Sequence, residues 1–462
     1  MTHAYAHFIG VGGAGMSGIA RVLHDRGVVV TGSDLRSSRY STALQQAGMT
    51  VHIGHQAANV GEPDFVVVST AIPDTNPELV EARRRGIPVW PRARMLAELA
   101  GERLTVAVAG THGKTTTSSM AAAALIEAGA DPTFLIGGEL TDVGSNARCG
   151  GGPYFVVEAD ESDGSFLYLD PYCAIVTNVE ADHLDHYASL DEIVDIFREF
   201  LGKVRPGGVA VLCADDRRLM RLAPEVTERV VTYGHAGSAD VRISGYEATS
   251  VGGAFCVHFP DGTEVACSTR MPGEHMALNA TGVLAAAWAL GVDVEAAARG
   301  IAGFGGVKRR FEYVGVVGDV SVVDDYAHHP TEVRATLAAA RTVEAGTRWV
   351  VFQPHRYSRT AAFAHDFGAA FDDADRVVIL DVYSAGEAPV PGVSGKTVVD
   401  AILLHHPRAR LAYFPHMGEA ARYVAGRTRP GDLVMTMGAG DVTTMGPEIV
   451  RELTQRASGG AV

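Results

Sequence analysis

Short apolar runs alternate with longer amphipathic stretches along almost the whole chain. The first hundred residues contain the runs HFIGV, GVVVTGSD, FVVVSTAI and IPVW, separated by stretches of helical pattern. Later runs include TVAVAG, RWVVFQPHR, DRVVILDVY and GDLVMTMGAGD. Short apolar strands that alternate with helices are typical of parallel α/β sheets. The pattern predicts an α/β fold, with a β-rich excursion over residues 229–270, where short runs are broken by glycines.

The alternation falls into three blocks, which predict three domains. A chain of 462 residues is too long for a single hydrophobic core. The segment LAGERL forms a plausible first junction, and the second precedes EYVGVVGDV. We therefore expect domains over residues 1–101, 102–311 and 312–462.

Composition narrows the class of protein. Hydrophobic residues make up 47% of the chain and charged residues 20%, as in ordinary globular proteins. The formal net charge of −15 argues against nucleic acid or an anionic membrane surface as a partner. The five cysteines are odd in number and form no C-x-x-C pair, and no apolar stretch reaches the ~18 residues of a membrane span. These features predict a soluble cytoplasmic protein.

A glycine-rich turn follows the first apolar run, in the segment FIGVGGAGMSGIA. Gly10, Gly12 and Gly15 fit the pattern G-x-G-x-x-G between a strand and a helix. Glycines let the backbone approach a phosphate, and a helix N-terminus presents free N–H groups to it. Asp34 closes the next strand, where a carboxylate takes a ribose hydroxyl in dinucleotide-binding folds. The motif alone favours NAD, but the same turn can hold any nucleotide diphosphate. A tight strand–helix turn that binds no ligand also fits the pattern.

A second turn, GTHGKTTT over residues 110–117, also lies between a strand and a long helix. The strict P-loop has a glycine five residues before Gly113, where this chain has Val108, so the loop has a different shape. Lys114 can reach the β and γ phosphates of a nucleoside triphosphate, and Thr115 offers a hydroxyl to Mg²⁺. This turn is the stronger of the two phosphate signals.

Two acidic clusters follow predicted strands further along. The first, in YFVVEADESDG, consists of Glu158, Asp160, Glu161 and Asp163. The second, in AIVTNVEADHLDHY, consists of Glu180, Asp182, His183, Asp185 and His186. Such a cluster is either a solvated turn or a metal site, and a P-loop upstream favours metal. Because ligand groups gather at the carboxyl ends of parallel strands, both clusters are expected to face the lysine of the second turn.

Nine motifs in order resemble the Mur ligase family of bacterial cell-wall synthesis. They are FIGVGGAGMSGIA, AGTHGKTTT, VVEADESDGSFL, TNVEADHLDHY, PGEHMALNA, RRFEYVG, VVDDYAHHPTE, FQPHRYSRT and GAGD. The resemblance implies a Rossmann-like N-terminal domain that binds a UDP-sugar, a central P-loop-type ATPase domain with a mostly parallel sheet, and a Rossmann-like C-terminal domain that closes over ATP and an amino acid. The first turn would then hold the diphosphate of the UDP-sugar, and the second would hold ATP.

Within the family the chain is most similar to the alanine-adding branch. That branch implies an ATP-dependent carboxylate–amine ligase in peptidoglycan precursor synthesis. It would join L-alanine to the lactyl carboxylate of UDP-N-acetylmuramate through an acyl phosphate, with ATP and two Mg²⁺ ions as cofactors. A monomer and a homodimer both remain open.

The resemblance also assigns residues to the site. Those implied for the UDP-sugar are Gly12, Gly13, Ala14, Gly15, Met16 and Ser17, with Asp34, His55, Ser69 and Asn76 as weaker suggestions. Those implied for ATP are Gly110, Thr111, His112, Gly113, Lys114, Thr115, Thr116, His275, Asn279, Arg310 and Asp325. Those implied for Mg²⁺ are Thr115, Glu158 and His183. Those implied for the amino acid are Tyr326, His328, Arg356 and Arg359, and the catalytic set is Lys114, His183, His328, Arg356 and Arg359.

One feature departs from the wider family. Several Mur ligases carry a carbamylated lysine after the D-H motif, which helps to place the second Mg²⁺. The helix predicted from SLDEIVDIFREF (189–200) has no lysine, and the first one after it is Lys203. We therefore expect no carbamylated lysine here and assign the second ion to His183.

Alternatives remain open at this point. The amine proton could go to His328 or His329, yet the paired histidines in YAHHPTE could instead cap a helix. Arg356 and Arg359 could lie on a solvated helix face. At the level of function, the alternatives are a related ligase that attaches a recycled tripeptide to the same UDP-sugar, an NAD-dependent oxidoreductase, and a non-catalytic nucleotide-binding regulator.

Overall fold

A computed structural model describes residues 4–162, 164–184, 186–249 and 251–459. Asp163 and Asp185, each a member of an acidic cluster named above, lie outside the described residues. The chain forms three α/β domains, each built on its own sheet, which confirms the predicted fold class. The exact domain limits stay a prediction. Among the described residues, no helix is long and apolar enough to cross a membrane.

The N-terminal sheet is fully parallel, with strand order β3-β2-β1-β4-β5. Its strands are β1 (Tyr5–Ile9), β2 (Val29–Asp34), β3 (Thr50–Ile53), β4 (Phe65–Val68) and β5 (Val89–Pro91). Its helices are α1 (Ala14–Asp25), α2 (Arg39–Gln46), α3 (Pro77–Arg84) and α4 (Arg92–Gly101). The strand order reverses between β1 and β4, and the first glycine turn leaves β1 at that point. Crevices at such reversals are where open α/β sheets bind ligands.

The middle sheet has ten strands in the order β15-β14-β13-β12-β11-β10-β6-β9-β7-β8. The strands are β6 (Leu104–Ala109), β7 (Thr133–Leu140), β8 (Ser145–Arg148), β9 (Tyr154–Glu158), β10 (Cys173–Val176), β11 (Val209–Cys213), β12 (Arg229–Gly234), β13 (Val241–Thr249), β14 (Gly252–His258) and β15 (Glu264–Thr269). The helices are α5 (Lys114–Glu127), α6 (Leu190–Leu201), α7 (Arg217–Leu222), α8 (Glu274–Ala289) and α9 (Val294–Gly303). Pairing is parallel from β7 to β13 and antiparallel at both edges. The β-rich excursion is confirmed as strands β12–β15.

The C-terminal sheet has six strands in the order β16-β17-β21-β18-β19-β20, and only β16 is antiparallel to its neighbour. The strands are β16 (Glu312–Val317), β17 (Val320–Asp325), β18 (Arg348–Phe352), β19 (Arg376–Leu380), β20 (Leu411–Phe414) and β21 (Leu433–Met437). The helices are α10 (Pro330–Thr342), α11 (Tyr357–Ala362), α12 (Gly395–His405), α13 (Met417–Ala425) and α14 (Met445–Gly459).

The two junctions between domains differ in chemistry. One continuous apolar core runs through the N-terminal and middle domains. Helix α1 packs so closely on β7 that a Cβ built at Gly18 would lie 2.5 Å from the Leu135 side chain. The C-terminal domain has separate apolar clusters. Polar side chains link it to the middle domain.

Candidate active site

The second turn, residues 110–117, is called the lysine loop below. It connects β6 to α5 and has left-handed backbone at Gly110 (φ +130°) and at Gly113 (φ +84°). A Cβ built at Gly110 would lie 2.1 Å from the Thr177 hydroxyl, so only glycine fits there. The Lys114 ammonium donates to the Gly110 carbonyl at 2.8 Å and to the Glu161 carboxylate at 2.9 Å. The loop therefore directs its lysine toward the first acidic cluster.

The predicted magnesium residues Thr115 and Glu158 are neighbours. The Thr115 hydroxyl donates to Glu158 at 3.0 Å, and the Gly137 N–H donates to the other carboxylate oxygen at 2.8 Å. Burial raises the pKa of Glu158, and it raises the pKa of Glu161 to about 7 despite the nearby Lys114. The Glu161 Oε2 atom is buried and has no hydrogen-bond partner among the described residues. A buried, underused carboxylate next to a threonine hydroxyl suits a hard divalent cation.

His183 lies beside the same cluster. Its Nε2 atom is 4.0 Å from the Glu161 carboxylate and 3.7 Å from that of Asp182. Its backbone is left-handed (φ +52°), which is uncommon for a non-glycine residue and marks a constrained position. Burial lowers the pKa of His183, so its imidazole is neutral near pH 7 and can act as a ligand.

These groups face a cavity of about 370 Å³, called the central cavity below, where all three domains meet. Of the residues assigned from the sequence, it is lined by Thr111, Gly113, Lys114, Thr115, Glu158, His183, Arg310, Tyr326, His328, Arg356 and Arg359. The first acidic cluster contributes Asp160 and the second Asp182. As expected from the strand ends, both clusters face the lysine loop. The residues assigned to phosphate and to the amino acid share one enclosure.

A second cavity of about 360 Å³ adjoins the first and shares Gly113, Arg310 and Glu332 with it. Of the residues assigned to ATP, it is lined by His112, Gly113, Thr116, His275, Asn279, Arg310 and Asp325. Burial and the charge of Arg310 lower the pKa of His275 to about 4, so its ring is neutral. Met276 and Leu278 add apolar surface beside the Asn279 amide, and a partly apolar enclosure next to a phosphate loop has the chemistry of a nucleobase site.

Asp325 is held by its own domain and by Phe311, at the junction with the middle domain. Its carboxylate accepts hydrogen bonds from the backbone N–H groups of Phe311 and Ala327, each at 2.8 Å, and from the Thr336 hydroxyl at 3.3 Å. Burial raises its pKa to about 6. Asp325 therefore fixes the segment that carries Arg310 as well as lining the second cavity.

His112 contacts protein groups on both sides of the domain junction. Its Nε2 lies 2.9 Å from Glu180 in the middle domain, and its Nδ1 lies 3.2 Å from Glu332 in the C-terminal domain. Burial would lower its pKa, but the hydrogen bonds to the two carboxylates outweigh that effect and raise the pKa to about 9. The His112 side chain is therefore a charged link between domains, and only the backbone of this residue is left for a phosphate.

Arg359 makes a second link across the junction. Its Nε and Nη2 atoms donate to the Asp182 carboxylate at 2.9 and 2.7 Å, and both side chains are buried. A solvated helix face is therefore wrong for Arg359. The Nε and Nη2 groups of Arg359, which could bind an amino-acid carboxylate, already donate to Asp182. Arg356, with left-handed backbone just before α11, lines the central cavity.

The paired histidines have different roles. The His329 ring accepts a hydrogen bond from the Thr331 N–H at 3.3 Å, and Glu332 completes a capping box at the start of α10. The capping interpretation is thus confirmed for His329. The His328 Nδ1 is 2.9 Å from the Tyr326 carbonyl and so carries the proton, which leaves Nε2 as an acceptor. Burial lowers the pKa of His328 to about 4, so its ring is neutral.

The first glycine turn presents backbone to a ligand. Helix α1 begins at Ala14 without a side-chain cap, so the N–H groups of Gly13, Ala14, Gly15 and Met16 have no intrahelical acceptor. Met16 and Ser17 are buried, and the Ser17 hydroxyl donates to the Ala14 carbonyl at 3.0 Å. The Asp34 carboxylate accepts the Gly12 N–H at 2.8 Å, which places it against the turn.

The other residues suggested more weakly for the UDP-sugar have different surroundings in the structure. Ser69 follows β4 and lies beside Gly10, where a Cβ would be 3.2 Å from the Ser69 side chain. Asn76 is buried and caps α3, accepting from the N–H groups of Glu78 and Leu79. The Nδ1 atom of His55 lies 3.0 Å from the Ser33 hydroxyl. The structure thus gives Asn76 a helix-capping role and places Ser69, like Asp34, close to the turn.

Sequence reasoning missed several residues at the site. Arg92, the first residue of α4, has Nη1 2.9 Å from where a Cβ on Gly15 would lie. Arg39 and Tyr40, in the N-terminal domain, line the central cavity. The Arg309 guanidinium donates to the Gly438 carbonyl at 2.6 Å and so holds the GAGD turn. Arg39, Tyr40 and Arg92 belong to none of the motifs named above, so only the folded chain identifies them. Arg309 begins the RRFEYVG motif, but the motif did not reveal its contact with the GAGD turn.

Three family models match successive parts of the chain. The Mur ligase family catalytic domain matches residues 5–103, the Mur ligase middle domain residues 108–287, and the Mur ligase glutamate ligase domain residues 309–440. The chain therefore belongs to the Mur ligase family.

Individual relatives are similar over nearly the whole chain. A UDP-N-acetylmuramate–L-alanine ligase from Mycobacterium ulcerans is 49% identical, covering 98% of this chain and 95% of the relative. One from Saccharopolyspora erythraea is 50% identical, covering 98% and 94%. The crystal structure of a UDP-N-acetylmuramate–alanine ligase from Thermotoga maritima aligns with a TM-score of 0.81 at 28% identity, covering 98% of this chain and all of that one. A murein peptide ligase from Psychrobacter arcticus aligns with a TM-score of 0.71 at 27% identity, covering 97% and 98%.

Proposed function

We propose that this chain is an ATP-dependent ligase that joins L-alanine to the lactyl carboxylate of UDP-N-acetylmuramate. The observation that carries the proposal is the central cavity, where Lys114, two acidic strand ends and the C-terminal Arg356 and His328 face one another. Relatives of about 50% identity that carry this activity in their names support alanine over a tripeptide as the second substrate. An oxidoreductase would leave the lysine loop and the acidic clusters without a use. A passive nucleotide sensor would leave Arg356 and His328, on the other side of the same cavity, without one.

The first step makes the carboxylate reactive. A lactyl oxygen attacks the γ-phosphorus of ATP, the new O–P bond forms as the bond to the β-phosphate oxygen breaks, and ADP leaves. Two anions meet in this step, so positive charge must lie at the transferred group. Lys114 is the proposed source: it lies on the lysine loop at the cavity wall and now neutralises Glu161. Arg310, which lines both cavities, would contribute from the C-terminal side.

Magnesium fits the residues present. Thr115 and Glu158 would hold one ion, and His183 together with the carboxylates beside it would hold a second. The buried Glu161 oxygen without a partner supports a cation in this cluster. When bound, the metal supplies Lewis acidity and neutralises phosphate charge.

The second step forms the amide. The alanine nitrogen attacks the acyl carbon, a tetrahedral intermediate forms, and phosphate leaves. Once bonded to that carbon the nitrogen is more acidic than a free ammonium group, so a weak base can take its proton. His328 is the proposed base, since its ring is neutral and its Nε2 is an acceptor. Arg356, which lines the central cavity, would pair with the alanine carboxylate.

The UDP-sugar would bind along the N-terminal domain, with its lactyl group in the central cavity. The free N–H groups at the start of α1 would hold the diphosphate. Arg92, beside Gly15, would add a cation there, and Arg39 marks the side of the central cavity that belongs to the N-terminal domain.

The proposed function is tested by phosphate release from ATP under four conditions: no additions, UDP-N-acetylmuramate alone, and the sugar nucleotide with either L-alanine or the tripeptide. We expect sustained release only with the sugar nucleotide and L-alanine together. Sustained release with the tripeptide but not with L-alanine would favour the related ligase. Phosphate release that does not depend on the sugar nucleotide would contradict both the alanine-adding and the tripeptide-adding ligase.

A further inference from the structure

A cluster of metal-ligating side chains lies on the antiparallel edge of the middle sheet, remote from the site described above. It consists of Cys256 and His258 on β14 and Glu264 on β15, with one ligand atom from each within 4.8 Å of the others. His258 and Glu264 face each other in register, with Nδ1 and Oε1 3.0 Å apart. Cys256 precedes His258 by two residues, so both side chains project from the same face of the strand.

The sheet holds these three groups in place. Phe255 and Val257 alternate with them and are buried in the core, which fixes the strand's orientation. On the outer face, Cys256 has only small neighbours across the strands, Ser244 on one side and Ala266 on the other. The thiol is therefore half-buried and is not covered by a large side chain directly opposite.

Ser244 also orients the histidine. Its hydroxyl lies 2.6 Å from the His258 Nε2 atom, while Nδ1 faces Glu264. Histidines that bind metals usually have the second ring nitrogen held by such an outer partner, which fixes the ring and the tautomer. The arrangement leaves Nδ1, the carboxylate and the sulfur on the same side.

We propose that Cys256, His258 and Glu264 bind one divalent transition-metal ion of the zinc class, with a fourth coordination position open to solvent. Thiolate, imidazole and carboxylate are all zinc ligands, and a set of three leaves one position for water. Binding releases the thiol proton. The imidazole proton moves from Nδ1 to Nε2, which leaves Nδ1 free to bind the metal. The Nε2–H group then donates a hydrogen bond to the Ser244 oxygen.

This site is separate from the proposed ligase chemistry. None of the three residues lines the central cavity or the cavity beside it. A second group, Asp372 with His405 and His406, is equally compact but consists of exposed residues and contains no thiol. The magnesium residues also lack a thiol. Sulfur therefore distinguishes the proposed site from both of the others.

The test is a titration of the reduced full-length chain with Co²⁺, followed by the thiolate-to-cobalt charge-transfer absorption. We expect one equivalent of this signal in the parent chain and none in Cys256→Ser. His258→Gln and Glu264→Gln should weaken binding roughly tenfold or more. Cys149→Ser is the matched control, because Cys149 is the other half-buried cysteine, and it should keep the full signal.

A second readout needs no variant. In the parent chain Zn²⁺ should slow chemical modification of Cys256 and leave the rate at Cys149 unchanged, with peptide mapping to separate the two. Absence of the charge-transfer signal, its survival in Cys256→Ser, or its indifference to both His258→Gln and Glu264→Gln would overturn the proposal. Phosphate release should be unchanged in every one of these variants, so failure here is distinguishable from failure of the ligase assignment.

Discussion

The Asp182 carboxylate in the middle domain and the Arg359 guanidinium in the C-terminal domain form a buried ion pair, with donor–acceptor distances of 2.9 and 2.7 Å. Asp182 adjoins His183, a proposed metal ligand, and Arg359 lies three residues after Arg356, the proposed contact of the alanine carboxylate. The pair thus fixes the phosphate side of the cavity relative to the amino-acid side. Because the C-terminal domain has its own apolar core, such polar links define how it sits on the rest of the chain.

Breaking this pair should impair turnover more than folding of the separate domains. Removal of one partner from a buried ion pair costs about 3–5 kcal/mol because the other charge is left unpaired. For Asp182→Asn we expect a loss of at least about a hundredfold in kcat/KM for L-alanine, together with less compaction on adding nucleotides in small-angle scattering. Arg341→Gln is the control: its pair with Asp373 is exposed and should be worth under about 1 kcal/mol. Parent-like turnover in Asp182→Asn would refute the role given to the pair.

Lys114→Met should abolish the activation step. Loss of a preorganised charge at a developing oxyanion typically lowers kcat about 10²- to 10³-fold. Phosphate release under saturating substrates measures this directly, and Lys396→Met, on an exposed helix start, is the matched control. If Lys114→Met kept more than about a tenth of the parent rate, the lysine loop would not be the phosphate site.

Gly110 should tolerate no side chain. Its backbone is left-handed and a Cβ would meet the Thr177 hydroxyl at 2.1 Å, so Gly110→Ala must distort the loop. We expect a loss of about 1–3 kcal/mol in the free energy of unfolding, as for other strained backbone positions, and weaker ATP binding by calorimetry. Gly237→Ala, where a Cβ would meet nothing within 4 Å, should behave as the parent chain. Equal effects of the two substitutions would contradict the loop geometry.

His112 should make stability depend on pH in a defined direction. Its pKa in the folded chain, about 9, lies above the ordinary value of 6.5, so the folded state holds its proton more tightly than the unfolded state. The resulting stabilisation, up to about 3 kcal/mol from 1.36 kcal/mol per pKa unit, is complete below pH 6.5 and is lost as pH rises through 9.

The measurement is the difference in unfolding free energy between the parent chain and His112→Gln, taken at several pH values. That difference should shrink between pH 6.5 and 9. His365→Gln is the control, since the His365 side chain is 97% exposed. A difference that is constant over this range would show that His112 does not bridge Glu180 and Glu332 as a charged group.

Much of the fold was predictable because local patterns determine it. The helix predicted over 189–200 is observed as Leu190–Leu201, with Ser189 as its cap, because its apolar period and its capping serine agree. The lysine loop and the strand ends around it followed from glycines, a G-K-T motif and the rule that ligand groups gather at strand termini. Each of these signals lies within a short stretch of sequence.

The relationships between domains were not predictable in the same way. Asp182 and Arg359 are 177 residues apart, and His112 and Glu332 are 220 apart, so no periodicity connects them. The resemblance assigned Arg359 to the carboxylate of the amino acid, but in the folded chain its guanidinium donates to Asp182. Asn76 resembled a ligand contact but forms a helix cap, because asparagine serves both roles equally well.

The central claim is that ATP activates the sugar carboxylate as an acyl phosphate at the lysine loop. The most direct measurement uses UDP-N-acetylmuramate labelled with ¹⁸O in its lactyl carboxylate, with ATP, Mg²⁺ and L-alanine, and mass spectrometry of the released phosphate. The account predicts that one labelled carboxylate oxygen is transferred to each phosphate as the amide forms. Amide formation with unlabelled phosphate would contradict it.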